Sequence, residues 1–518
     1  MIASQWAIYL HHREPKQFTS TTVWVELLCK LYVIKVIDLP RQLYVGRFPL
    51  ASTIISVYPH HRVGNKRQQK MAKSQRRAYN CGMNKVDTNK LSLPQRVYLV
   101  GIGGVSMSGI AEHLHAKGVY VCRSDRTPND YTKRLEKLGI DVQRESASLA
   151  GFDLVVKTSA VKDDHPQIVE AKSLGIPVVL REQLLGWIFD KYPTRIAVCG
   201  THGKTTATAM LHHVLERCKV NHTAFIGGSY LGRNHFGGGQ IVIAEACEYN
   251  ASFLHLHPTH TLCLNVEYDH PDCYQSVADV ESAFQKLFEQ SKAVVLPKNL
   301  QKLAPRGVFW DNFVAKNIFA TPRLTTFDLY HKQVFVAKLR LPLVGEHNVQ
   351  NALAVVALCH QLGLPMLEVC HAFGSFCGVE RRWAETQYKC KVVCDYAHHP
   401  TEIQATIKTA QSLTKGKVVC IFQPHTFTRT KALWVDFARC FDGTTVVYLP
   451  IYPAREKPIE GVTSQNLARF ASNLGIDAHY CDSFDEAKAF VENITSTDDT
   501  ILVLGAGDVV NLAKLFAK

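Results

Sequence analysis

The stretch "RIAVCGTHGKTTATAML", residues 195–211, sets a lysine and a threonine directly behind a glycine turn. These are residue types that cradle and neutralise a polyphosphate. A nucleoside-triphosphate loop reads G-x-x-x-x-G-K-[ST], which with Gly203, Lys204 and Thr205 in place requires glycine at position 198. That position is Val198 and the glycine present is Gly200, so the loop reads G-x-x-G-K-T. The apolar run Ile196–Cys199 reads as a strand, and Met210, Leu211, Val214 and Leu215 form the apolar stripe of a following helix. In that setting loop N–H groups and the helix N-terminus hold phosphate oxygens, Lys204 neutralises charge, and the Thr205 hydroxyl takes Mg²⁺. The bland alternative is a glycine turn with an exposed lysine, and the flanking strand and helix favour the phosphate site. Lys204 is expected to meet solvent and nucleotide rather than core, so its removal is expected to leave the fold intact.

Magnesium needs few protein ligands, because it keeps several waters. Glu245 closes the apolar run "QIVIAE" and His270 follows "HTLCLNVEYD", 25 residues later. A carboxylate at a strand end is an ordinary ligand and a histidine a less usual one. Alone each is bland, and their order behind a phosphate loop gives them weight. Other apolar runs also end in polar groups: Asp395 and His399, His425 and Arg429, and Asp508. Near the start of the patterned region Gly101, Gly103, Gly104 and Gly109 are followed by Asp125. The dinucleotide fingerprint G-x-G-x-x-G requires glycine at position 106, where Ser106 stands. The glycines let a backbone approach a pyrophosphate and the acid meet a ribose. A Rossmann-like domain for a nucleotide other than NAD is the preferred reading, with NAD as runner-up.

Positioning these groups requires an α/β fold. From residue 94 onward short β-branched runs alternate with helical patterns, which predicts largely parallel sheets with ligands at the carboxyl ends of strands. At 518 residues the chain exceeds one core and predicts several domains. Breaks fall at "DKYPTR", residues 190–195, and "FGSFCGVERRW", residues 373–383, and no internal repeat is evident. The net charge is +14, but residues 1–82 hold 13 Lys and Arg against three Asp and Glu, which leaves +4 for the rest. A basic leader on a nearly neutral body argues against nucleic acid. Sixteen cysteines contain no C-x-x-C pair and many lie in apolar runs, which fits a reducing cytoplasm. Cys390, Cys394, His398 and His399 are the nearest approach to a zinc cluster; their spacing argues against one, and the cysteines read as strand packing. The leader's longest apolar stretch, "LLCKLYVIKVI", is broken by Lys30 and Lys35 and is too short to span a membrane. The leader reads as a targeting segment, a disordered arm, or sequence upstream of the true start; Met71 and Met83 are alternative starts, and this last reading is preferred.

Taken in order, the motifs resemble the Mur ligases. "GTHGKTT" is similar to that family's ATP loop, and "EACEYNASFL", "NVEYDHPD", "LVGEHNVQNALAV", "GVERRW", "DYAHHPTEI", "QPHTFTRTKAL", "YPAREKP" and "LGAGD" follow in family order across residues 94–518. The resemblance implies an extension at 1–93, a Rossmann-like UDP-sugar domain at 94–192, a central P-loop-type ATP domain at 193–376 and a Rossmann-like ligase domain at 377–518. It assigns Gly101, Gly103, Gly104, Ser106, Asp125 and Ser159 to the UDP sugar. Gly200, Thr201, His202, Gly203, Lys204, Thr205 and Thr206, with His347, Asn351, His425 and Arg429, go to ATP. Thr205, Glu245 and His270 go to the metal, and Lys204, Arg381, Arg382 and His399 to catalysis. Arg455, in "YPAREKP", carries no assigned role.

The reaction implied is ATP- and Mg²⁺-dependent joining of L-alanine to the lactyl carboxylate of UDP-N-acetylmuramate through an acyl phosphate. It belongs to peptidoglycan precursor synthesis, in a cytoplasmic monomer or homodimer without nucleic acid or membrane span. Other family members carry a carbamylated lysine where this chain has Gln285, and the alanine-adding branch lacks it too. "EACEYNASFL" departs from the more acidic "EADESDASF" form, which keeps Glu245 but leaves Cys247 and Asn250 without a role. No "DNPR" stretch of the diaminopimelate-adding branch is present. The alternatives are a murein-tripeptide recycling ligase or another amino-acid adder, an NAD-binding sensor built on residues 94–190, and a P-loop motor.

Overall fold

The computed structural model describes residues 94–124, 129–143 and 148–516. The readings of residues 1–93 and of Asp125 fall outside them.

Four sheets carry the fold. The first contains β1 (Arg96–Val100), β2 (Tyr120–Ser124), β3 (Asp141–Gln143), β4 (Leu154–Lys157) and β5 (Val178–Leu180), all parallel, in the order β3-β2-β1-β4-β5. The order reverses between β1 and β4, whose carboxyl ends lead to Gly101 and Ser159. Such a reversal opens a crevice for a ligand.

The second sheet contains β6 (Thr194–Cys199), β7 (His222–Tyr230), β8 (Arg233–Phe236), β9 (Ile241–Glu245), β10 (His260–Cys263), β11 (Ala293–Leu296) and β12 (Val308–Phe309), in the order β12-β11-β10-β6-β9-β7-β8. Only the edge pair β7–β8 is antiparallel. Strand β6 lies between β9 and β10, so the glycine loop, Glu245 and the segment leading to His270 leave one sheet edge side by side. Alternate side chains of β6 enter two cores: Ile196 and Val198 pack with the helix Lys204–Arg217, and Ala197 and Cys199 pack on the opposite face. A strand buried on both faces reads as a continuous apolar run, which makes "RIAVCG" legible. The second of these cores continues into β1, β4 and the helix Arg181–Asp190, so the first two sheets share apolar packing.

The third sheet departs from the expectation of largely parallel pairing. β13 (Phe313–Thr321), β14 (Leu324–His331) and β15 (Val334–Leu341) form an antiparallel meander. Phe327 and Leu329 alternate with more open neighbours along β14, the period-two pattern of a half-covered strand. Lys332 and Gln333 join β14 to β15 with φ of 48° and 71°, the left-handed pair that suits a two-residue hairpin loop. The fourth sheet orders β16 (Ala384–Gln387), β17 (Lys391–Asp395), β18 (Val418–Phe422), β19 (Thr445–Tyr448), β20 (Asp477–Tyr480) and β21 (Thr500–Leu504) as β16-β17-β21-β18-β19-β20, with β16 alone antiparallel. Its apolar residues also divide between two cores, one on each face.

Among the described residues no helix is long and apolar enough to cross a membrane. Their cysteines are free thiols, and Cys390 and Cys394 are buried in sheet packing.

Candidate functional site

Strand β6 delivers the chain into the loop Gly200–Gly203 and the helix that starts at Lys204. Gly200 and Gly203 have φ of 144° and 81°, and a Cβ on Gly203 would lie 2.6 Å from the Asn351 Oδ1. Glycine is therefore required at 203 by conformation and by the close approach of Asn351. Lys204 is not the solvent-facing lysine expected from sequence. Its side chain is 12% exposed, and Nζ donates to the carbonyls of Gly200 (2.6 Å) and Thr201 (3.1 Å) and pairs with Glu248 at 2.8 Å. Burial opposes its charge, yet the Glu248 carboxylate overrides this and holds the ammonium above the ordinary lysine range.

Glu248 is the main residue that the sequence reading missed. It is 2% exposed, and one carboxylate reaches both Lys204 and His270 Nε2, the latter at 3.3 Å. Burial raises the Glu248 pKa; Lys204 and then His270 outweigh it, and the group stays ionised. Glu245 accepts a hydrogen bond from the Gly227 amide at 3.0 Å. A Cβ at Gly227 would overlap this carboxylate, and one at Gly228 would press on the Thr205 methyl at 2.9 Å. The Gly227–Gly228 pair on β7 thus keeps Thr205 and Glu245 clear, and "IGGSY" was the available signal. Thr205, Glu245 and His270, the three expected metal ligands, line one cavity together with Lys204 and Glu248.

Arg381, Arg382 and Tyr396 complete that cavity from the fourth sheet's side. Both guanidinium groups lie over the Tyr396 ring, at 4.9 and 5.0 Å from its centre. Arg381 and His270 hold φ of 63° and 56°. Such left-handed non-glycine residues cost energy and concentrate at working sites. Val105 and Tyr131 reach the same cavity from the first sheet's side. Of the residues expected on the sugar, Gly104 caps the helix Val105–Ala116, Ser106 accepts from Arg181 at 2.7 Å, and the Gly103 carbonyl accepts from Asn129 at 3.1 Å. Gly109 lies within that helix against Asn234, and so serves packing rather than a phosphate loop.

A second cavity, beside the first, is lined by His202, Gly203, Thr206, His347 and Asn351. His347 is held at about 4 by burial and is therefore neutral at pH 7. His202 is the opposite case: burial disfavours its charge, but Glu267 and Glu402 override this and raise it to about 9. Glu402 lines both cavities.

His399, His425 and Arg429 line neither cavity. His399 caps the helix Pro400–Leu413 and lies 4.5 Å, centre to centre, from the His202 ring. Arg429 is locked onto Asp269 by two hydrogen bonds of 2.7 and 3.2 Å, and His425 faces Arg429 at 3.3 Å. Burial alone would raise the Asp269 pKa, but Arg429 holds it far below the carboxylate range.

Three family descriptions match the chain: "Mur ligase family, catalytic domain" over residues 96–193, "Mur ligase middle domain" over 198–359, and "Mur ligase, glutamate ligase domain" over 381–507. The UDP-N-acetylmuramate–L-alanine ligase of Agathobacter rectalis is 36% identical over 462 residues, covering 83% of this chain and 99% of that protein. The ligase of the same name from Acetivibrio thermocellus is 36% identical over 461 residues, covering 84% and 97%. Among solved structures, the UDP-N-acetylmuramate-alanine ligase from Thermotoga maritima superposes with a TM-score of 0.69 at 29% identity, covering 81% of this chain and 98% of that one.

Proposed function

The chain belongs to the Mur ligase family, and from that premise we propose that it joins L-alanine to the lactyl carboxylate of UDP-N-acetylmuramate at the expense of ATP. The observation that carries this reading is the convergence of Lys204, Glu245, His270, Arg381 and Arg382 on one cavity. It occurs in a chain that matches alanine-adding ligases over nearly their whole length.

A carboxylate does not react with an amine at neutral pH, so the reaction needs an activated acyl group. Conversion of the lactyl carboxylate to an acyl phosphate supplies it, and the alanine amine then displaces phosphate. Lys204, already charged and anchored, offers its ammonium to the phosphate oxygens. Loop amides at the start of the helix Lys204–Arg217 add donors there. His347 and Asn351, in the second cavity, suit the adenine end of ATP. Arg381 and Arg382 meet charge that develops on phosphoryl and acyl oxygens. The residues fit Mg²⁺: a hydroxyl, a carboxylate and an imidazole face one space that the Gly227–Gly228 backbone leaves open. When bound, the ion neutralises charge on the transferring phosphoryl group. Glu248 acts through others, by holding both Lys204 and His270.

We assign the UDP sugar to residues 94–192, ATP to 193–376, and the closing ligase portion to 377–518, in an enzyme that works in the cytoplasm on small-molecule substrates. The test incubates the full chain with UDP-N-acetylmuramate, ATP, Mg²⁺ and single amino acids, and reads phosphate release and product mass. L-Alanine-dependent formation of UDP-N-acetylmuramoyl-L-alanine is expected. Product with a murein tripeptide and none with L-alanine would replace this reading with that of a recycling ligase.

A further inference from the structure

Beside the catalytic cavity three side chains from three segments converge: His202 on the phosphate loop, Glu267 beyond β10, and His399 at the cap of the helix Pro400–Leu413. One nitrogen or oxygen from each lies within 4.8 Å of the other two, and among the described residues this is the one group of metal-ligating side chains so arranged. His202 Nε2 lies 3.3 Å from Glu267 Oε2, and His399 Nδ1 lies 3.9 Å from the same oxygen. Both histidine side chains are sheltered, at 11% and 7% exposure.

The outer partners match the way metal-binding histidines are oriented. Such a histidine turns its second ring nitrogen to a carboxylate or a backbone carbonyl, which fixes its tautomer. His202 Nδ1 faces Glu402 Oε1 at 3.6 Å, and His399 Nε2 faces the Tyr268 carbonyl at 3.2 Å. The Thr401 hydroxyl donates to Glu267 Oε2 at 2.7 Å and steadies the carboxylate. We propose that His202, Glu267 and His399 form a site for a divalent transition-metal ion of the Zn²⁺ class, separate from the magnesium position. Two imidazoles and one carboxylate with an open fourth position suit Zn²⁺ or Co²⁺ rather than Mg²⁺. Metal–ligand bonds of about 2.0–2.2 Å in a tetrahedron separate ligand atoms by about 3.3 Å. The His202–Glu267 pair already has that spacing, and His399 closes it by a small shift in which Nδ1 releases the Thr401 amide, now 3.3 Å away. Because His202 belongs to the phosphate loop and His399 to a helix that follows β17, the ion ties the loop to the fourth sheet's side.

The test uses no substrate, so its outcome is independent of the ligase reading. The full chain is titrated with Co²⁺ in excess Mg²⁺, and the visible d–d bands are followed. One equivalent of four-coordinate Co²⁺ is expected, displaced by one equivalent of Zn²⁺. Glu267→Gln and His399→Asn should each weaken Co²⁺ binding about tenfold or more, by analogy with the loss seen for outer-shell changes, and His270→Ala should leave the bands in place. Bands that persist in both Glu267→Gln and His399→Asn, or vanish with His270→Ala, would overturn the proposal. Zinc-edge X-ray absorption of the unaltered chain keeps the test independent of whether variants fold. A shell of two imidazoles and a carboxylate oxygen supports the site, and a sulfur shell or a single imidazole refutes it.

Discussion

Lys204 and Glu248 form a buried ion pair, with Nζ 2.8 Å from Oε2, where the phosphate loop passes the end of β9. Removing the lysine leaves a carboxylate that is only 2% exposed with the His270 ring as its remaining partner. Breaking such a pair from one side costs about 3–5 kcal/mol. Lys204→Ala is therefore expected to abolish ATP-dependent turnover and to lower the unfolding free energy by about 3 kcal/mol. Adding Glu248→Gln should restore much of the stability and none of the activity. Denaturant unfolding and phosphate release measure the two effects, and an unchanged unfolding midpoint in Lys204→Ala would contradict the burial argument.

As the proposed ligands of Mg²⁺, Glu245 and His270 should differ in strength, since a carboxylate suits a hard cation and an imidazole suits softer ions. Glu245→Ala should raise the Mg²⁺ concentration needed for half-maximal phosphate release more than His270→Ala does, and the unaltered enzyme should accept Mn²⁺. Metal titrations of both variants check this, and the reverse ranking would exclude Glu245 as the dominant ligand.

Asp269 and Arg429 predict an acid-sensitive element. The Asp269 pKa is depressed in the fold, so its contribution is present above the unfolded carboxylate value of about 3.9 and is lost as pH falls. At pH 7 Arg429→Ala should cost about 3 kcal/mol, because it takes the guanidinium from a buried carboxylate that keeps the His270 amide and ring beside it. The penalty should shrink in unfolding curves taken near pH 3. A penalty independent of pH would assign it to lost packing instead.

In the metal-free chain, stripped with a chelator so that His202 is free to take a proton, His202 predicts the opposite slope. Its pKa is raised in the fold to about 9, so its stabilising charge is fully present below the unfolded value of about 6.5 and is lost as pH rises through 9. The stability gap between the unaltered chain and His202→Gln should be largest near pH 6 and close by pH 10. A gap that widens with pH would mean that His202 is neutral in the fold.

Gly203→Ala should raise KM for ATP sharply, because the new methyl meets the Asn351 side chain and φ is 81°. Because Asn351 is itself placed at the nucleotide, the double variant Gly203→Ala/Asn351→Ala is compared with Asn351→Ala alone; with the clash removed but not the backbone cost, its KM for ATP should stay above that of the single variant. A double variant no worse than Asn351→Ala would show that contact, and not conformation, requires the glycine.

The convergence of the glycine loop, Glu245 and the segment leading to His270 was legible because parallel strands send their carboxyl ends to one edge, and "RIAVCG", "IVIAE" and "LCLNVEYDH" announce those strands by composition. Glu248 was not legible. Three residues after Glu245 it looks like one more solvated acid, and only its burial beneath Lys204 and His270 gives it meaning. The partner of Arg429 was not legible either: it follows a strand end as the cavity residues do, and its guanidinium is taken up by Asp269, 160 residues away in sequence. The meander β13–β15 was missed for a milder reason, since its alternating pattern lies within a region otherwise dominated by parallel units. Pattern reports which face of an element is buried, but not which distant charge will meet it.

Glu402 belongs to the walls of both cavities, with Arg382 at 3.4 Å from Oε1 and His202 at 3.6 Å from the same oxygen. One anion is thus shared by two side chains, His202 in the second cavity and Arg382, which lines both. An oxyanion that draws Arg382 toward itself leaves more of that carboxylate to His202, and a nucleotide that displaces His202 returns it to Arg382. If nucleotide and oxyanion occupy the two compartments as proposed, occupancy of either should be felt in the other, and thermodynamic reciprocity would make the two effects equal in free energy. A single carboxylate would then make the two ligands each other's effectors.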